Sequence, residues 1–119
     1  MHAKVNLDEI DVRDVGEDSP RLKAVGYELR PQKMRPNVWV FEPGQRLNRH
    51  RQKTQEELYH ILSGTFEMRY ENTVDELKAG DVVVVSPDEI RQLVCVTAGE
   101  AFIVGAPNVK DDGVVLNVD

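Results

Sequence analysis

The chain has 119 residues and 13.5 kDa, 40% of them hydrophobic and 30% charged, which describes one compact domain and excludes a two-domain enzyme with an interdomain cleft. Fifteen Lys and Arg stand against 21 Asp and Glu, a net charge of -6, so an electrostatic grip on nucleic acid is disfavoured. The single cysteine, Cys95, excludes an intrachain disulfide and any cysteine-pair zinc site.

In chain order, residues 1–20 read as an acidic N-terminal arm carrying Asp8, Glu9, Asp11 and Asp14. That segment has no apolar leader, and no apolar run in the chain approaches the ~18 residues of a membrane span. A cytoplasmic protein without a membrane partner is the expectation. A β domain follows over 21–107, with strands expected at 24–30, 38–42, 58–62, 65–70, 82–85, 90–96 and 101–105. Turn signals separate them: Ser63-Gly64, Glu71-Asn72, Ala79-Gly80, Pro87-Asp88 and Ala98-Gly99. This even spacing predicts an all-β, antiparallel sandwich or barrel. Over 65–70, Phe66, Met68 and Tyr70 alternate with Thr65, Glu67 and Arg69, the pattern of a half-buried strand. The valine run 82–85 reads as a strand buried on both faces, which favours a homodimer. Residues 108–119 form a C-terminal tail, with a turn at Asp111-Asp112-Gly113 before a last strand at 114–118.

The chain has three histidines, His2, His50 and His60. His50 lies in a stretch running from Gly44 through Gln52, Glu57 and Tyr59 to Gly64. Its spacing resembles the first signature of the cupins, with Gly44, His50, Glu57 and Gly64 on the pattern and Gln52 where a second histidine stands in the family. The stretch from Gly80 to Arg91 is similar to the second signature, with one residue more before Pro87 and Arg91 in the place of a histidine. The resemblance implies an antiparallel jelly-roll β-barrel, commonly a dimer, with a pocket facing the barrel interior.

Strand geometry gives the same residues a physical meaning. His50 and Gln52 share a face, as do Glu57, Tyr59 and Ile61 on the following strand. Imidazole, carboxamide and carboxylate form an N/O donor set suited to Fe, Mn, Ni or Zn, with the amide the weakest of the three. The candidate pocket is therefore His50, Gln52, Glu57, Tyr59 and Arg91, and the candidate metal ligands are His50, Gln52 and Glu57. Arg91 opposes a metal, because a guanidinium is always charged and has no lone pair to give. Pointed inward, it repels a cation and pairs with Glu57; pointed at a ligand, it grips a carboxylate or phosphate.

Other residues have plainer readings. His60 falls on the strand face opposite Glu57, with Leu58 and Leu62, and is expected to pack under a second sheet or at a subunit contact. Cys95, flanked by Val94 and Val96, reads as a buried hydrophobe rather than a nucleophile. Trp39 and Phe41 read first as packing residues and second as a stacking wall. Arg46, Arg49, Arg51 and Lys53 read as a solvated face rather than a nucleic-acid patch.

Two functions fit these residues. One is a metal-dependent enzyme of the dioxygenase or isomerase type with one divalent transition metal. The other is a metal-free cupin that binds a small anionic or sugar-like molecule or serves as a dimerising scaffold.

Overall fold

The computed structural model describes residues 2–116. Eight antiparallel strands curl into one jelly-roll sheet: β1 (Arg21–Lys23), β2 (Arg35–Phe41), β3 (His50–Gln52), β4 (Glu56–Tyr70), β5 (Val74–Lys78), β6 (Val82–Val85), β7 (Arg91–Ala106) and β8 (Gly113–Val115). Strand β7 pairs with β2, β3 and β4, while β4 also carries β5 and β6, and β8 pairs with β3. Among the described residues, no helix is long and apolar enough to cross a membrane.

Two of the expected turns are one bend. Ser63-Gly64 and Ala98-Gly99 do not end strands; they face each other in the middle of β4 and β7, where the register shifts between Ile61, Ser63, Thr65 and Phe66. The backbones approach so closely that a Cβ on Gly99 would lie 2.0 Å from the Ser63 carbonyl oxygen, and one on Gly64 would lie 2.4 Å from that of Ala98. Gly64 also has φ +78°. The glycine pair allows two long strands to bend together instead of reversing, so the strands expected at 58–62 and 65–70 are one, as are those at 90–96 and 101–105. The turns at Glu71-Asn72, Ala79-Gly80 and Pro87-Asp88 are found between strands.

The strand expected at 24–30 is a short helix, α1 (Val25–Leu29). Val25 and Leu29 stand two alternations apart in a strand but also one turn apart in a helix, and here both pack into one cluster. That cluster joins Ile10 and Val38 with Leu7, Leu62 and Phe102, so the N-terminal arm covers the outer face of the sheet. Within one chain the valine run is buried on one face only: Val85 is 2% exposed, whereas Val82 and Val84 are 57% and 55% exposed. It is an outer strand of alternating burial. Of the last strand expected at 114–118, residues 114 and 115 are paired in β8, which begins at Gly113, and 117–118 lie outside the described residues.

The main core lies inside the curl, built from Phe41, Tyr59, Ile61, Phe66, Met68, Leu77, Val85, Leu93, Cys95, Ala101 and Ile103. Phe66 and Met68 point inward as the alternation required, and Phe66 meets Phe41 edge to face at 5.0 Å.

The bend yields a direct test. Gly99→Ala should cost about 3 kcal/mol or more, because its methyl group meets backbone that cannot retreat. Gly44→Ala, where φ is +86° but nothing lies within 4 Å, should cost only about 1–2 kcal/mol of backbone strain. Urea unfolding of the two variants checks the difference.

Candidate functional site

The inward faces of β2, β7 and β4 lie in register. Arg35, Gly105 and Glu57 form one cross-strand row, Asn37, Ile103 and Tyr59 the next, and Trp39, Ala101 and Ile61 the third. Strand β3 brings His50 opposite Arg91 at the start of β7. The rows place apolar side chains at depth and polar ones towards the mouth.

Four of the five expected pocket residues meet at a single atom. The Glu57 Oε1 accepts hydrogen bonds from Arg91 Nη2 at 2.7 Å and from Tyr59 Oη at 2.8 Å, and His50 Nε2 lies 3.2 Å away. The other ring nitrogen, His50 Nδ1, lies 2.9 Å from the Asn48 carbonyl oxygen. Both ring nitrogens therefore face acceptors within the chain. Arg91 is fully buried, and its Nη1 donates to the carbonyls of Ser86, Pro87 and Glu89 at 3.1, 2.9 and 2.8 Å. Its forked ends are spent on Glu57 and on the 86–89 turn, so of its two expected roles the structure displays the ion pair and not the grip on a ligand.

Gln52 goes elsewhere. It is buried, and its Nε2 donates to Gln55 Oε1 at 2.9 Å, while Gln55 Nε2 donates to the Val109 carbonyl at 3.2 Å. Asp112, expected to lie in a simple turn, is buried and accepts from the Thr54 and Gln55 backbone N–H groups, fixing the loop that carries Gln55. Those donors outweigh the effect of burial and hold its carboxyl below the usual range.

Two adjoining cavities open here. The larger, about 440 Å³, is lined by Trp39, Arg46, Leu47, His50, Glu57 and Tyr59 among others, with Val15 from the N-terminal segment and Val115 from β8 at its rim. The smaller, about 170 Å³, is lined by Arg35, Asn37, Gln52 and Gln55 and shares Trp39, Glu57 and Ile103 with the first. Trp39 is thus a cavity wall, and Arg46, read from sequence as part of a solvated face, borders the larger cavity. Gln55 had no sequence signal because it lies in an aperiodic loop. Strand alternation from Trp39 would have found Arg35 and Asn37. His60 is half-buried on the outer face, and Cys95 is a core residue whose Sγ lies 3.1 Å from the Thr97 carbonyl oxygen and whose thiol burial pushes up.

Electrostatics follow from the cluster. Burial alone would raise the Glu57 carboxyl, but the hydrogen bonds from His50, Arg91 and Tyr59 and the charge of Arg91 outweigh it, holding the group at about 2 against an ordinary 4.5. Burial, and then the Glu57 charge, push the Tyr59 hydroxyl far up, so it stays a donor. The residues do not fit a resident divalent metal. Among the described residues no three His, Cys, Asp or Glu side chains converge, and the Gln52 amide is turned to Gln55. A metal bonded ~2.1 Å from Glu57 Oε1 would sit within about 5 Å of the guanidinium, given that oxygen's 2.7 Å contact with Arg91. At an effective dielectric of about 20, the repulsion is roughly 7 kcal/mol.

The sequence and fold have recognisable relatives. Residues 37–106 match the family described as the cupin domain. No match appears among curated proteins. Solved structures with the same fold include a sugar phosphate isomerase of the cupin superfamily from Silicibacter pomeroyi, with 19% identity, TM-score 0.82 and coverage of 98% of this chain and 83% of that one. A double-stranded β-helix protein from Klebsiella pneumoniae has 20% identity, TM-score 0.79 and 97% coverage of both chains. The polyketide cyclase RemF from Streptomyces resistomycificus has 14% identity, TM-score 0.77 and coverage of 100% and 88%.

The Glu57 shift sets an acid limit on stability. Its folded value lies below its unfolded one, so the stabilisation is complete above pH 4.5 and disappears as pH falls towards about 2. The amount is on the order of 3 kcal/mol, and Glu57→Gln should lose this part of the pH dependence. Urea unfolding of both proteins across that interval checks it; equal slopes would reject the assignment.

Proposed function

This chain belongs to the cupin family, and on that premise we propose that its barrel is a small-molecule binding site for an anion, working without a resident metal. The observation that supports this is the Arg91–Glu57 contact at 2.7 Å. Among the described residues, Glu57 is the one acidic side chain bordering the larger cavity, and its charge is already met by a guanidinium behind it. That leaves Arg46 as the fixed cation lining the space among the described residues. Arg46 forms no ion pair among the described residues. In a chain of net charge -6, a locally positive, half-apolar cavity selects a small anion over the protein's own acidic surface.

The ligand's anionic group lies against Arg46, its body against Trp39, Leu47 and Ile103. Arg91 does not touch it; it keeps Glu57 charged and placed, and through Glu57 it orients the His50 ring. The fold by itself does not choose the reaction, since an isomerase and a cyclase share this barrel, and the reading therefore rests on the donor set and its charges.

Two measurements test the proposal. Elemental analysis of protein purified without chelator should find far less than one metal per chain, and chelator should leave the melting temperature unchanged. Small carboxylates and phosphate esters should raise the melting temperature in wild type by mass action. Arg46→Ala should weaken that response about tenfold or more, in line with a lost charge-assisted hydrogen bond. Stoichiometric metal, or an unaltered response in Arg46→Ala, would sink it.

A further inference from the structure

The smaller chamber is bordered by a cation that the cluster at Glu57 does not use. Arg35 begins β2 on its inward face, in one cross-strand row with Gly105 and Glu57, and its exposed side chain lines the chamber of about 170 Å³. With only a glycine between them, the arginine and the glutamate could meet. Instead, Gln55 takes the place of the missing side chain: a Cβ on Gly105 would lie 2.8 Å from Gln55 Oε1. Gly113 gives room in the same way, since a Cβ there would lie 2.9 Å from Gln52 Oε1, and the two amides bond to each other at 2.9 Å. The charge of Glu57 is met by Arg91 at 2.7 Å, not by Arg35.

Arg35 is held in place without being neutralised. Its Nη1 donates to the Val109 carbonyl at 3.3 Å, the same oxygen that Gln55 Nε2 reaches at 3.2 Å. A carbonyl brings no counter-charge, and among the described residues Arg35 forms no ion pair. A guanidinium carries five N–H donors in a planar fork, so a single bond of this kind leaves most of the fork to a ligand.

Trp39, Glu57 and Ile103 border both this chamber and the larger cavity, where Arg46 is likewise exposed and without an ion pair among the described residues. Glu57 is the one carboxylate lining either space among those residues, and Arg91 offsets it. Two unneutralised guanidinium groups therefore flank one shared wall. In a chain of net charge -6, a ligand with a single charge answers only one of them.

We propose that the two chambers form one site for a small dianion, with one acidic group on Arg46, the other on Arg35, and the connecting body over Trp39 and Ile103. This rests on the anion site described above and adds the second charge of its ligand. The class is then a dicarboxylate or a phosphorylated acid rather than a monoanion, each end held by charge-assisted hydrogen bonds.

Isothermal titration of the intact protein tests it with a ladder of dicarboxylates from malonate to pimelate, each against its own monomethyl ester, which keeps the body and removes one charge. Wild type should bind at least one diacid about tenfold more tightly than its ester, the worth of one hydrogen bond to a charged group. Arg35→Gln should bring that ratio to about one by weakening the diacid, and Arg35→Lys, which keeps the charge, should retain part of the preference. Arg46→Ala should weaken diacid and ester together. A wild-type ratio near one along the whole ladder, a preference that survives Arg35→Gln, or an equal loss of ester and diacid in that variant overturns the inference, while ester binding that depends on Arg46 leaves the anion site standing. If neither diacids nor esters bind, the anion site fails and the two-ended site with it.

Discussion

A single carboxylate oxygen organises the mouth of this barrel. Glu57 Oε1 receives Arg91, Tyr59 and His50, and those residues come from three different strands and reach, through Arg91, the turn at 86–89. Each partner alone would be a poor candidate for burial. A guanidinium without a counter-ion, a carboxylate without donors or a tyrosine hydroxyl with no acceptor is expensive away from water, and together they satisfy one another. The cluster fixes the orientation of His50 and consumes the charge of Glu57, and these two consequences determine what the cavity can attract.

The backbone makes this convergence possible through a bend rather than through turns. Gly64 and Gly99 let β4 and β7 stay paired while changing direction, so one continuous ribbon supplies both the deep apolar layer and the polar rim. The rows across β2, β7 and β4 then run from Ile61 and Ala101 in the interior to Glu57 and Gly105 near the opening. Gly105 and Gly113 act in the opposite sense to the bend glycines: they create room beside the sheet, which two glutamine side chains fill.

Charge separates this site from a metal centre built on the same scaffold. A divalent ion needs several lone pairs and no nearby cation, whereas Arg91 brings a fixed positive charge to within hydrogen-bonding distance of the carboxylate. The guanidinium neutralises Glu57 from behind while the imidazole and Arg46 remain on the cavity side.

Much of this was readable in the residue order because it depends on local period. Alternation over 65–70 placed Phe66 and Met68 inward, the resemblance of the stretch from Gly44 to Gly64 to the cupin signature implied the jelly-roll barrel, and the shared face of His50 with Gln52 and of Glu57 with Tyr59 follows from the pleat. What the sequence could not convey were facts about which distant segments meet. Ser63-Gly64 and Ala98-Gly99 are turn-like dipeptides, and only their pairing turns them into a bend. Val25 and Leu29 suit a strand or a helix equally, and the cluster with Ile10 and Val38 decides. The direction of Arg91, the departure of Gln52 towards Gln55 and the place of Arg46 at the cavity depend on hydrogen-bond partners far away in the chain. Periodicity determines which face a side chain occupies, but only the assembled barrel determines what it meets there, because long-range contacts carry no signature in the local order of residues.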